Sequence, residues 1–301
     1  MTSGNDATVD PTGPFVEHRN LLFTVAYEIL GSAADAEDVV QETWLRWSER
    51  TAGAGEEIRD PRAYLVRIVT RQSLNRLRTQ QRRRETYVGP WLPEPLLTAP
   101  DVAEDVELAD SVSTAMLLVL ETLGPTERAV FVLREVFDVP YDEVAEAVGK
   151  TPAAVRQIAH RARSHVQARR PRQDVTAAER DRVIERFLSA AATGDLQALM
   201  DVLAPDLVLV SDGGGLKKAA LRPIEGRDKV LRFLAATGQR QGPMTGEVLT
   251  INGGPAVALS IGGELDTVAT FVIEDGLVTT LYLLRNPEKL RRLGEVVDLT
   301  R

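Results

Sequence analysis

Groups able to move protons or hold a metal are few in this sequence and unevenly placed. The three histidines, His18, His160 and His165, all precede residue 170, and there is no cysteine. Disulfides, thiolate zinc sites and direct thiol sensing are thereby excluded, and no residue set suggests a metal or a bound cofactor. Beyond residue 176, Asp206, Asp212, Asp266 and Tyr282 are the side chains an enzyme could recruit. With no histidine beside them no His–Asp dyad can form, so acid–base catalysis is not expected there. Arginine is differently distributed. Arg59, Arg62, Arg67, Arg71, Arg76, Arg78, Arg82, Arg83 and Arg84 form one basic stretch, and Lys150, Arg156, Arg161, Arg163, Arg169, Arg170 and Arg172 form a second with no acid among them. Asp101, Glu104, Asp105, Glu107 and Asp110 lie between. The net charge of −8 argues against simple coating of nucleic acid, yet two segregated basic patches suit two nucleic-acid contacts on one chain. Charge alone is equally served by solvated helix faces.

Spacing favours the first reading at Tyr141 to Arg163, YDEVAEAVGKTPAAVRQIAHRAR. Ala145 is small where two helices would cross, and Gly149 permits a turn four residues on. Taking Val155 as origin, Ile158, Ala159, Ala162 and Val166 fall within about 60° of it on a helix, a face to bury. Arg156, Gln157, His160 and Ser164 point the other way and suit base edges in a major groove. Arg161, Arg163, Arg169 and Arg170 suit phosphates, and Thr151 stands at the turn. An ordinary helical hairpin with a basic face is the competing interpretation.

The elements that must position these groups follow from periodicity. Phe15–Leu30 reads as a helix ended by Gly31, with Ser32 able to cap the next. Asp35–Ser48 is amphipathic, with Val40, Trp44 and Trp47 on one stripe, one tryptophan being core. Thr51–Glu57 is a loop. Pro61 opens a third helix to about Gln81, on which Arg67, Arg71, Arg78 and Arg82 share a narrow sector. Tyr87–Pro100, YVGPWLPEPLLTAP, is too rich in proline for a helix, and its Trp91 and Leu92 should dock on another domain. Val102–Leu123 is expected as one helix, with Thr126 capping the next and further helices opening at Pro140 and Pro152. After a linker at Pro171–Asp174, helices at Val175–Ala192, Leu196–Leu203 and Gly226–Thr237 accompany short strands at Leu207–Ser211, Glu247–Ile251, Ala256–Ile261, Thr267–Ile273 and Leu277–Leu284. The expected fold is multidomain: two all-α domains, the second with a helix-turn-helix, then an α+β domain with a mostly antiparallel sheet. Residues 1–14 read as a disordered lead-in without signal-peptide features. No apolar run approaches the roughly 18 residues of a membrane span, and a cytoplasmic location is expected.

Asp35–Trp47, DAEDVVQETWLRW, together with Pro61–Arg78 and Leu123–Val166, resembles the extracytoplasmic-function sigma factors, the resemblance covering most of residues 15 to 169. It implies a region 2 domain over 15–86, a proline-rich and acidic linker over 87–110, a region 4 domain over 111–170 and a short linker over 171–175. The implied partners are core RNA polymerase, through its β′ and β subunits, and promoter DNA. Asp35, Glu37, Asp38, Gln41, Glu42 and Trp44 would bind the β′ clamp helices. Arg62, Tyr64, Arg67, Arg71, Asn75 and Arg78 would hold the unpaired −10 strand, where stacking and phosphate contacts suit single strands. Thr151, Arg156, Gln157, His160, Arg161 and Arg163 would read the −35 element.

Residues 176–301 resemble a SnoaL-like domain, a cone of curved sheet and helices. A subgroup of these sigma factors carries that extension with a WLPEP-type linker and a DGGGK-type loop. Here the counterparts are Trp91-Leu92-Pro93-Glu94-Pro95 and Asp212-Gly213-Gly214-Gly215, with Leu216 where the motif has lysine, and an ending Asn286-Pro287-Glu288-Lys289-Leu290. The resemblance implies a built-in regulator replacing a separate anti-sigma protein, in which Trp91, Leu92 and Pro93 meet Asp212, Gly213, Gly214 and Gly215. A small ligand in the cone is left open. Two other readings compete: a one-component regulator with a ligand-binding C-terminal pocket, and a cyclase-like enzyme with a DNA-binding appendage. The first leaves Asp35–Trp47 unexplained, and the second lacks its base.

Overall fold

A computed structural model describes residues 12–52, 58–99, 105–171, 175–238 and 244–301. By packing, the chain forms two compact units: residues 1–79, 123–164 and 299–301 in the first, and residues 80–122 and 165–298 in the second.

The first unit is helical. Helix α1 spans Thr12–Leu30 and α2 spans Ala33–Ala52. Gly31 between them is left-handed at φ 66°, and the Ser32 hydroxyl accepts from Asp35 N at 3.2 Å, the expected break and cap. The first helix starts three residues before Phe15, and Thr51 and Ala52 end the second rather than starting a loop. The rest of the lead-in and of that loop lies outside the described residues. Helix α3, Pro61–Arg84, is capped by Asp60, which accepts from Ala63 N at 2.9 Å. Helix α6, Pro125–Phe131, continues into a π-helical turn, Val132–Val136. Thr126 is not its cap. Gly124 precedes a proline at the first helical position, and Glu127 Oε2 accepts from Gly124 N at 3.3 Å. Helices α7, Tyr141–Val148, and α8, Pro152–Gln167, follow.

Helix α1 packs on α2, α6 and the π-helical turn, burying Leu22, Tyr27, Ile29, Val130 and Leu133. Two charged residues sit in that core: Glu28 and Arg128 are 0% and 1% exposed, and Arg128 Nε donates to the Glu28 carbonyl at 3.0 Å. Burial pulls the Arg128 guanidinium down to about 9, against the opposing pull of Glu28. Leaving a buried hydrogen-bonding group unsatisfied costs about 1–3 kcal/mol, so this contact helps tie the first helix to α6. The chain's last residues also join this unit, Thr300 N donating to Thr24 Oγ1 at 3.2 Å.

The second unit is α+β. Strand β1 is Leu97–Thr98, and the single helix expected over 102–123 is instead two, α4, Val106–Ser111, and α5, Thr114–Glu121. Ser113 ends the first and caps the second, accepting from Met116 N at 3.1 Å. After α9, Ala177–Thr193, and α10, Leu196–Val202, come β2, Leu203–Asp212, β3, Ile224–Glu225, and α11, Arg227–Gly238. Strands β4, Met244–Ile251, β5, Gly254–Ile261, β6, Glu264–Glu274, and β7, Leu277–Leu284, precede α12, Pro287–Leu290, and β8, Val296–Val297. The described strands form one sheet in the order β3-β2-β7-β6-β5-β4-β1-β8. The β2–β7 and β1–β8 pairs are parallel and the rest antiparallel. The hairpins turn at Asn252-Gly253, Gly262-Gly263 and Asp275-Gly276, all at positive φ, the mirror-image turns that match strand twist.

One sheet face packs on α9, α10 and α11 through Ile184, Val202, Leu207, Val230, Leu281 and their neighbours. The opposite face gathers Ile251, Ala256, Val268, Leu284, Leu290 and Leu293 around Leu92 of the proline-rich segment.

Candidate nucleic-acid interface and linker anchor

On α2 the acids are partly engaged. Arg76 of α3 bridges Asp35 at 2.6 Å and also pairs with Asp38, and Glu37 takes Arg19 at 2.5 Å. Gln41 and Glu42 are exposed. Trp47 is the core tryptophan, 3% exposed and tilted against Tyr64 at 5.9 Å. Trp44 is half-buried and meets Phe15 at 4.9 Å, leaving an acidic and aromatic face outward.

The expected −10 set lies along α3. The Arg67 guanidinium lies over the Tyr64 ring at 4.9 Å and pairs with Glu146 of α7. Arg71 Nη2 donates to the Glu146 carbonyl at 2.7 Å, and its Nε reaches the Ala147 carbonyl at 3.4 Å. These carbonyls belong to the last turn of α7, the negative end of its dipole. Arg62 is half-buried, while Asn75 and Arg78 are exposed and joined by a 3.4 Å hydrogen bond. The side chain of Arg82 lies outside the described residues.

The helix-turn-helix is built as its spacing predicts. Gly149 is left-handed at φ 66° and closes α7. Thr151 caps α8, accepting from Ala154 N at 3.3 Å. Val155, Ala159, Ala162 and Val166 are buried, while Ile158 is only half-buried. Arg156, Gln157, His160 and Arg161 are exposed on the opposite face, with Arg156 over Tyr141 at 5.4 Å. Arg163 departs from the set: Glu135 takes both its Nε and Nη2 at 2.7 Å. That hydrogen-bonded carboxylate raises the guanidinium further above its usual range. The bond ties α8 to the π-helical turn.

In the second unit the proline-rich segment is part of the fold. Asp212, at the end of β2, is 0% exposed. Its Oδ1 accepts from the Tyr87 hydroxyl at 2.7 Å and its Oδ2 from Leu92 N at 2.9 Å. Lys289 of α12 completes the knot, Nζ donating to Asp212 Oδ2 at 2.7 Å and to the Leu92 carbonyl at 2.6 Å. The Trp91 ring meets two cations, Lys289 Nζ at 4.3 Å and the Arg84 guanidinium at 3.7 Å, and Arg84 also pairs with Glu121. Burial pulls the Lys289 ammonium down to about 8 although Asp212 opposes it. Burial, then the bond to Asp212, pushes the Tyr87 phenol well above its usual range. A Cβ on Gly213 would overlap the Lys217 carbonyl, and one on Gly214, itself at φ 59°, would overlap the Asn286 amide, so the loop needs both glycines. Pro93 is buried, and further along the Leu96 N–H donates to Asn252 Oδ1 at 2.9 Å. Strand β1 then pairs with β4 and β8.

Spacing alone missed Tyr87, Asn252 and Lys289. Lys289 lies within the Asn286–Leu290 ending, whereas the DGGGK-type motif points to the position held here by Leu216. That side chain is exposed, and the next residue, Lys217, pairs with Asp266 at 3.0 Å.

Known proteins match this arrangement. The Sigma-70 region 2 family matches residues 15–83 and Sigma-70, region 4 matches residues 113–166. The ECF RNA polymerase sigma factor SigJ of Mycobacterium tuberculosis strain H37Rv is 38% identical over 286 residues, covering 90% of each chain. The chain belongs to the extracytoplasmic-function sigma factors. A probable sigma factor of the same organism, SigI, is 32% identical over 91% of this chain and 92% of its own. The crystal structure of M. tuberculosis SigJ superposes with a TM-score of 0.76 at 35% identity, covering 94% of this chain and 99% of that one. The likeness therefore runs through the C-terminal domain as well, and the sigma factor is a transcription-initiation subunit with a fused α+β domain. No described helix is long and apolar enough to cross a membrane.

Proposed function

We propose that this sigma factor binds core RNA polymerase and promoter DNA in the cytoplasm, and that its own C-terminal domain holds it in check without a separate anti-sigma protein or any catalysis. The exposed face of α2, with Asp35, Glu37, Asp38, Gln41, Glu42 and Trp44, meets the β′ clamp, and region 4 engages β. Arg62, Tyr64, Arg67, Arg71, Asn75 and Arg78 hold the −10 strand. Thr151, Arg156, Gln157, His160 and Arg161 read the −35 element, and Arg163 orients their helix.

The observation that carries the regulatory half is the Asp212 anchor. The two DNA elements lie apart along the promoter, so regions 2 and 4 must separate to reach both. Arg67 and Arg71 are bound to α7 within one unit, and the segment joining the two regions is folded into the other. A freed linker would reach roughly 3.3–3.6 Å per residue, whereas a docked one has fixed ends. Tethering gives the docked state a high effective concentration. The test is transcription from a cognate promoter by purified core polymerase with the full chain and with Asp212→Ala. The variant should give more transcript. Equal yields would remove the regulatory reading, and no promoter-dependent transcript from either would remove the polymerase-binding one.

A further inference from the structure

The second unit contains a cavity of about 520 Å³, within the range of roughly 300–1,000 Å³ typical of small-ligand sites. Its lining shares Ile184 and Ile273 with the helix-side core. Its walls are the linker helices α4 and α5, the first turns of α9, and the sheet at the β4–β5 hairpin, β6 and β7. On the sheet side Thr270 and Tyr282 are register neighbours, and Tyr282 packs with the face that also receives Leu92.

The lining is apolar at Ala109, Met116 and Val272 and polar at Asp110, Arg170, Arg180 and Asp181. There Arg170 pairs with Asp110 at 2.5 Å. The half-buried Arg180 lies near enough to Asp110 to favour its carboxylate form but makes no ion pair and no side-chain hydrogen bond among the described residues. Asp181 also lines the cavity but is exposed. The Tyr282 hydroxyl likewise has no hydrogen-bond partner among the described residues, and burial pushes its phenol up to about 12, so it keeps its proton at neutral pH. A guanidinium and a hydroxyl without hydrogen-bond partners among the described residues, both lining a largely apolar space, are complementary to one anionic head on an apolar body.

We propose that this cavity binds an amphipathic organic acid, its carboxylate on Arg180 and Tyr282 and its apolar part between the linker helices and the sheet. Such a ligand touches linker and domain at once, so its binding adds to their adhesion. The binding claim stands apart from the regulatory proposal and is measured without polymerase.

The probe is 1-anilinonaphthalene-8-sulfonate, titrated into the full chain and then displaced by dodecanoate or dodecan-1-ol. Saturable one-site fluorescence is expected, with dodecanoate displacing the dye at least tenfold better than the alcohol. Arg180→Gln should bring that ratio to within about twofold. The ratio does not depend on the folded fraction. Thr270→Phe, which fills the cavity, should abolish displaceable binding with the thermal melt preserved. Absence of displaceable binding in the wild type, an unchanged acid-to-alcohol ratio in Arg180→Gln, or full binding by a folded Thr270→Phe variant would each overturn the proposal.

Discussion

Replacing Asp212 by alanine removes a carboxylate that is 0% exposed and accepts from Tyr87, Leu92, Lys289 and Gly214. Lys289, 9% exposed, then keeps the Leu92 carbonyl as its hydrogen-bond partner and the Trp91 ring beside it. Removing one partner of a buried ion pair costs about 3–5 kcal/mol, of the same order as two lost charge-assisted hydrogen bonds at about 1.5–3 kcal/mol each. Burial of the Leu92 side chain, about 1.5–3 kcal/mol, remains to oppose release. The segment around Leu92 should therefore open locally roughly 10²–10³ times more often, at about 1.4 kcal/mol per decade. Hydrogen exchange reads this directly: amides of residues 87–98 should lose protection by that factor while those of β6 and β7 keep theirs. Adding Lys289→Met should restore part of it, because an apolar replacement removes the stranded charge. Unchanged exchange over 87–98 in Asp212→Ala would refute the claim that this carboxylate holds the linker.

Other expectations follow from the same contacts. Glu146→Ala frees Arg67 of a partly exposed pair. Such pairs contribute about 0.2–1 kcal/mol, so affinity of the free protein for a −10 single strand should rise up to about fivefold in a fluorescence-anisotropy titration. Arg156→Ala should cost about 1–3 kcal/mol of −35 binding and relax specificity, whereas Arg163→Ala, having lost a bond to Glu135, should lower the melting temperature more than the specificity. Lys289 titrates at about 8 when folded against about 10.4 when free. Between those values the unfolded chain holds the extra proton, so stability rises with pH by up to about 1.4 kcal/mol per unit. Urea melts from pH 7.5 to 9.5 should show that rise in the wild type and not in Lys289→Met, and identical pH profiles would contradict it.

Much of this was legible in local patterns. Gly31, Pro61, Gly149 and the paired turn residues of the hairpins act within a few residues of themselves, so their caps and turns could be read directly. The outward set of α8 followed from helical angle alone. What escaped depends on partners far along the chain. Asn252 stands in a two-residue turn, where its type is explained locally, yet its side chain is spent on Leu96 and on the Val112 carbonyl. The linker reads as irregular because of its prolines, and nothing local says that Leu97 and Thr98 supply a strand to the sheet. Arg163 shares the composition of the DNA-facing residues, and only the position of Glu135 assigns it elsewhere.

The central claim, that the C-terminal domain governs this sigma factor by holding its linker, is tested most directly by a reversible lock. The chain has no cysteine of its own, and a Cβ at Gly215 would lie 3.3 Å from that of Val88, near the roughly 3.5–4.5 Å span of a disulfide. In transcription with core polymerase, the oxidised Val88→Cys/Gly215→Cys protein should give at least tenfold less promoter-dependent transcript than the same protein after reduction. Equal transcription from the oxidised and reduced forms would contradict the account.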